Sequence, residues 1–269
     1  MQRTTPQTRS IAQPRHSQEA QRKVRRLAGL ATWIAGILPQ INAYTSRLWA
    51  ATSGSSSYRA LPQIKIPVRW LRALCGTGLE QRQHHCRATP GYFSLITFDA
   101  SLTGGGASLQ EGLQSLEQAA TKPIVAYWHA RWTRNDLRVT RVKPGDPSGQ
   151  AALEAYTLLV SVSTWMSVLK QAQGALHVRG DALGILHNMM RFRAKDPVLN
   201  AIAGELAYLV APLGLDIHAA HIWSERNFVC VKLSRLRADE AADLPELSGA
   251  ARVKRRPIPN ILLSSLVGT

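Results

Sequence analysis

One near-continuous apolar run, Tyr92–Phe98, ends on a single carboxylate, Asp99, and three consecutive glycines, Gly104, Gly105 and Gly106, follow shortly after. Seven uncharged residues before an acid, then a glycine turn, predict a buried strand that enters a hairpin, with Ala107–Leu109 as its return strand. Downstream, Pro123–Trp132 reads as a third strand, Ala175–Val178 as a fourth and Leu215–Ile222 as a fifth. The intervening segments have helical character. Ala151–Lys170 is apolar on most faces, as expected of a helix lying across a sheet inside a domain. A further helix is expected just after Asp181, another over Pro197–Val210 and a last one over Asn227–Leu236. A three-strand meander followed by alternating helices and strands predicts an α/β fold, a mixed sheet flanked by helices.

The 269 residues divide unevenly in charge, with 33 Lys+Arg against 17 Asp+Glu and a net charge of +16. Residues 1–90 carry 14 basic and 2 acidic side chains, whereas 91–236 carry 14 and 11. That front-loaded excess points to a polyanionic partner, nucleic acid above all. The expected organisation has five parts: a disordered basic arm over 1–18, a helical segment over 19–55, and a linker with a short basic helix over 56–90. A globular unit over 91–236 and a C-terminal tail over 237–269 complete it. The cations expected to meet phosphates are Arg22, Lys23, Arg25 and Arg26 in the helical segment and Arg69 and Arg72 in the short helix. No apolar stretch is long enough to span a membrane. Three cysteines without a C-x-x-C pair favour a reducing, intracellular setting, cytoplasm or nucleus. His84, His85, Cys86 and Cys75 lack the paired spacing of a zinc site.

Three carboxylates in the 91–236 unit stand in unusual places. Asp99 closes a buried strand, Glu154 is the only charge between Asp146 and Lys170, and Asp181 follows a strand through Gly180. Each has an ordinary explanation as a turn cap, a helix-dipole partner or an N-cap. In the order strand, helix, strand, however, they can converge at the end of a sheet where α/β proteins place their sites. Three carboxylates so close would take up protons unless divalent cations lay among them, and an all-oxygen set suits Mg²⁺, with Mn²⁺ as substitute.

These residues sit in recognisable phrases. Asp99-Ala100-Ser101 with Gly104-Gly105-Gly106-Ala107, Ala152-Leu153-Glu154-Ala155, Arg179-Gly180-Asp181-Ala182-Leu183 and the stretch His221–Arg235 follow one another in order. Together they resemble the ribonuclease H domain of retrotransposon reverse transcriptases, and residues 22–50 resemble the segment that precedes it in such polyproteins. The resemblance implies a ribonuclease H-like fold with a five-stranded mixed sheet and a basic helical N-terminal extension. It also implies Asp99, Glu154 and Asp181 as metal ligands, and cleavage of the RNA strand of an RNA–DNA hybrid by two-metal hydrolysis, leaving 3′-hydroxyl and 5′-phosphate ends. His221, at the end of the last strand, is a candidate to assist proton or product movement.

The chain departs from the pattern at two places. Val231 occupies the position of the family's fourth carboxylate and cannot ligate a cation, and Ser224 replaces a glycine. The resemblance therefore implies an impaired nuclease, with a catalytically inactive nucleic-acid clamp or a decayed polyprotein fragment as the alternatives. Nothing in the sequence resembles a polymerase active site, so no polymerase activity is expected. Other parts of a retroelement polyprotein are possible partners on this reading.

Overall fold

The computed structural model describes residues 15–53, 57–76, 91–172, 175–213, 215–256 and 258. Three helices lead the chain: α1 (Arg15–Ala35), α2 (Asn42–Ser53) and α3 (Ser57–Cys75). The sheet then begins with β1 (Phe93–Ala100), β2 (Gly104–Leu113) and β3 (Ala126–Arg131). Next come α4 (Arg134–Thr140), α5 (Gln150–Thr164) and the short α6 (Met166–Leu169), followed by β4 (Ala175–Gly180), α7 (Leu183–Met190) and α8 (Pro197–Val210). Strand β5 (Asp216–His221), α9 (Phe228–Leu233) and β6 (Ala251–Arg252) complete the order.

The sheet order is β5-β4-β1-β2-β3-β6, with β1, β4 and β5 mutually parallel and β2 antiparallel to both of its neighbours. This is the mixed, helix-flanked α/β architecture expected of a ribonuclease H-like fold, with six strands instead of five. Strand β1 is central and buried along its whole length, so an unbroken apolar run suits it. One sheet face presents Ile96, Phe98, Ala107, Leu109, Trp128, Leu176 and Val178 to α5, α7 and α8, and these form the main core. Trp128 at its centre donates its indole N–H to Ser161 on α5 (3.1 Å). The other face meets α9 and the C-terminal segment through Tyr127, Leu233, Leu244 and Leu247.

Four expectations change. Gly104–Gly106 are not a turn but the first residues of β2, because neighbouring atoms occupy the space a Cβ would need. At Gly104 it would lie 2.6 Å from Ala130 O, and at Gly105 2.5 Å from Trp132 Cη2. At Gly106 it would collide with Leu233 of α9. Of the expected tail over 237–269, the described residues 237–256 and 258 are not merely a tail. β6 pairs with β3, Leu244 and Leu247 are buried, and Arg255 forms a 2.6 Å ion pair with Asp136.

The basic helix expected in 56–90 is not short: α3 begins at Ser57 and runs through Pro62 and Pro67 despite their missing N–H groups. Packing outweighs local preference here: Trp70 stacks on Tyr44 of α2 at 4.5 Å and meets Tyr208 of α8 edge-on at 4.4 Å. Finally, α1 begins at Arg15, inside the expected arm, whose first fourteen residues lie outside the described ones. His84, His85 and Cys86 also lie outside them.

Candidate active site

Strands β1 and β4 run parallel, so their C-terminal ends coincide, and Asp99 and Asp181 leave the sheet at the same edge. Because α5 leads into β4, it runs back across the sheet and brings its N-terminal half, with Glu154, to that edge. Asp99 and Glu154 are 8% and 9% exposed, so neither carboxylate has much solvent to lean on.

Each of the three is held by its own donor. Ser234 Oγ donates to Asp99 Oδ2 (2.6 Å), and Ser224 Oγ donates to Asp181 Oδ2 (2.6 Å). Gln150 Nε2 donates to Glu154 Oε1 (3.0 Å) and also to the carbonyl of Ala100 (2.6 Å), tying α5 to the residue after Asp99. These contacts displace the ordinary roles. Ser101, not Asp99, caps the turn, its Oγ accepting from Gly104 N–H (3.1 Å), and α7 starts without a side-chain cap from Asp181. Glu154 lies beyond the first turn of α5.

Burial raises the Glu154 carboxyl to about 7, and the negative charges of Asp181 and Asp99 push in the same direction against the Gln150 hydrogen bond. Burial likewise raises Asp99 to about 6; Ser234 and Arg235 pull it down, and Asp181 pushes it further up. Glu154 Oε2 is buried and has no hydrogen-bond partner. The donor set of hard carboxylate oxygens with one orphaned buried atom is chemically suited to Mg²⁺ or Mn²⁺. In spacing, though, no group of three His, Cys, Asp or Glu among the described residues is packed tightly enough to hold a metal ion. The three acids share one sheet edge and feel one another's charge, and each is engaged by its own donor, Ser234, Ser224 or Gln150.

Helix α9 is anchored to β1 residue by residue. Asn227 Nδ2 donates to Phe98 O (3.0 Å) and Cys230 Sγ to Thr97 O (3.2 Å). Ser101 Oγ donates to the carbonyl of Ser234 (2.7 Å). Val231 stands one turn before Ser234, on the same helix face, and its carbonyl oxygen lies 2.9 Å from Ser234 Oγ. His221 Nε2 lies 3.1 Å from Asp181 O and its ring meets Trp223 edge-on at 5.0 Å, so this exposed histidine borders the acidic edge. Beside it, a cleft of about 1060 Å³ is lined by Arg179, Trp223 and Arg226 among others.

The six candidate cations stand elsewhere. Arg22, Lys23, Arg25 and Arg26 on α1 and Arg69 and Arg72 on α3 are exposed, and Lys23 pairs with Glu19 (3.0 Å). Helix α1 packs on Ala211, just past the end of α8 and before β5 begins. That is the opposite end of the sheet from Asp99 and Asp181, so the structure does not bring these cations to the carboxylates. Sequence reasoning missed Gln150, Asn227 and Ser234 as holders of the site. The signal was available in part, since Gln150 precedes Glu154 by one helical turn.

No family model matches the chain, and no curated protein matches it. Among solved structures it is similar to ribonuclease H1 of the halophilic archaeon Halobacterium salinarum NRC-1, at 19% identity over 52% of this chain and 93% of that one, with a TM-score of 0.35. It is also similar to LC11-RNase H1 in complex with RNA/DNA hybrid, at 14% identity over 55% of this chain and 96% of that one, with a TM-score of 0.40. A foamy viral protease-reverse transcriptase in complex with double-stranded DNA shares 10% identity over 76% of this chain and 34% of that one, with a TM-score of 0.30. The ribonuclease H-like architecture of this chain stands on its own sheet order and strand register.

Proposed function

We propose that this chain binds RNA–DNA hybrids and cleaves the RNA strand slowly, with Asp99, Glu154 and Asp181 as the acids that would draw in around divalent cations. The observation that carries the reading is Glu154: a buried carboxylate, one oxygen unpartnered, raised to about 7 beside two further acids. Such a group costs stability in a merely structural role and is of use where positive charge arrives. Asp99, Glu154 and Asp181 would be the residues to hold Mg²⁺ or Mn²⁺, whose positive charge would favour ionisation of water and offset charge developing on a phosphodiester.

The chain's own residues do the rest. Ser234 keeps Asp99 ionisable despite its burial, Gln150 holds one oxygen of Glu154 and leaves the other free, and Ser224 orients Asp181. His221, fixed on the Asp181 carbonyl and exposed, is placed to exchange protons with solvent at the edge of the site. The exposed cations of α1 and α3 supply phosphate contacts remote from the cut. An origin in a retroelement polyprotein accords with the sequence phrases.

Val231 favours a second reading, a clamp that binds without cutting, because a valine on the Ser234 face leaves that side of Asp99 without a fourth carboxylate. One experiment separates the two. Hybrid cleavage is measured with Mg²⁺ and with Mn²⁺ for the wild type, Asp99→Asn and Val231→Asp. The nuclease reading expects metal-dependent cutting that Asp99→Asn abolishes and Val231→Asp enhances by about tenfold or more, about 1.4 kcal/mol of barrier. Absence of cutting by both the wild type and Val231→Asp leaves the clamp.

A further inference from the structure

The C-terminal segment Ala251–Arg256 climbs the outer edge of the sheet beside β3, in the same direction as β3 and β1. Its ladder begins with Ala251 N–H to Val125 O (3.0 Å) and continues with Val253 N–H to Tyr127 O (2.8 Å). From Arg252 to Arg256 exposure alternates: Arg252, Lys254 and Arg256 are exposed, while Val253 and Arg255 are half-buried. Arg255 turns inward to Asp136, which also receives Tyr156 Oη (3.0 Å) and Thr133 Oγ1 (2.7 Å). The inward cation is thereby neutralised and the segment is pinned. The three exposed cations form a row with about 6.6–6.8 Å between members, twice the rise per residue of an extended chain, and the Arg252 guanidinium at its start also donates to Ala238 O (2.8 Å).

Between this row and β3 lies a cleft of about 660 Å³. Its lining includes His129, which is 7% exposed and has no hydrogen-bond partner on either ring nitrogen. An orphaned buried imidazole in a cleft walled by Arg252, Lys254, Arg255 and Arg256 wants an anionic acceptor. Burial and the Arg252 guanidinium disfavour a charge on His129, and Glu240, from the segment before β6, acts in the opposite direction.

Register relates this cleft to the acidic edge. Asp99 pairs with Gly106, and Gly106 pairs with His129, so the three lie in one row across β1, β2 and β3. At about 4.8 Å per strand, His129 is roughly 10 Å from Asp99 along the sheet and the cationic row roughly 14 Å. A single phosphate would occupy one member of the row. A chain of phosphates would engage all three.

We propose that Arg252, Lys254 and Arg256, with His129 at the inner end of the cleft, form a subsite for the phosphate backbone of the same nucleic acid that reaches Asp99. The inference rests on the nucleic-acid-binding part of the proposed function and is independent of cleavage.

The test is hybrid binding by fluorescence anisotropy with the full chain in EDTA, at salt concentrations from about 50 to 200 mM. The triple variant Arg252→Gln, Lys254→Gln, Arg256→Gln is compared with the wild type. A charge-matched control is Arg191→Gln, Arg193→Gln, Lys195→Gln, three exposed cations after α7. With about 0.9 counterion released per phosphate, the slope of log affinity against log salt should become shallower by about 2–3 in the triple variant and by less in the control. His129→Phe should weaken binding severalfold with the slope intact.

An unchanged slope in the triple variant, an equal change in the control or unchanged affinity in His129→Phe would each overturn the subsite. So would sodium phosphate displacing the hybrid far better than sodium chloride of equal ionic strength, which would mark a free-phosphate pocket. Cutting by the wild type combined with an unchanged slope removes this inference alone. A lost slope in a protein that never cuts removes the nuclease reading alone.

Discussion

Replacing Glu154 by glutamine should stabilise the fold at alkaline pH even as it removes the proposed ligand. In the unfolded chain a glutamate ionises near 4.5, whereas burial lifts the folded carboxyl to about 7. The folded state therefore holds the proton more tightly. Its stability falls as pH climbs from about 4.5 to about 7, then levels off. At about 1.4 kcal/mol per tenfold, that gap corresponds to roughly 3 kcal/mol of destabilisation at pH 8 in the absence of divalent cations.

Glutamine keeps the shape and the acceptor for Gln150 Nε2, and it carries no charge to desolvate. Its new amide N–H also needs a partner, which offsets part of the gain, so the expected net is about 1–3 kcal/mol. For a chain of this size that is about 2–4 °C in Tm per kcal/mol. The measurement is urea or thermal unfolding of both proteins in EDTA at pH 5 and pH 8. The advantage of the variant should be large at pH 8 and mostly gone at pH 5. A difference that does not vary between these pH values, or a variant less stable at pH 8, would refute the idea that Glu154 is held ionised against its surroundings.

Gly106→Ala should cost about 1–3 kcal/mol in the same unfolding assay, because the added methyl runs into Leu233 and must push α9, and with it Ser234, off Asp99. Hybrid cleavage, if present, should fall in parallel. Arg255→Ala should destabilise by about 2–4 kcal/mol, since it strands the buried Asp136 that Thr133 and Tyr156 also hold. Loss of less than about 0.5 kcal/mol would mean that the C-terminal segment is dispensable to the fold.

Local pattern determined much of this molecule. The apolar run before Asp99, the single charge on an apolar helix and the acid after Gly180 located the strands, the helix and the three carboxylates, because burial of strands and helix faces is written in residue periodicity. The sequence also marked Val231 as a departure. What it left open depended on contacts between distant residues. The glycine trio reads as a turn until Leu233, Trp132 and Ala130 are seen occupying the space of its missing side chains. Helix α3 contradicts its prolines until Tyr44 and Tyr208 close around Trp70. The basic, proline-spaced C-terminus reads as a tail until β3 offers it an edge and Asp136 a counter-charge. The state of the carboxylates was likewise beyond the sequence, because the low dielectric around Asp99 and Glu154 and the donors Ser234, Gln150 and Ser224 come together only when five separate segments meet at one end of the sheet.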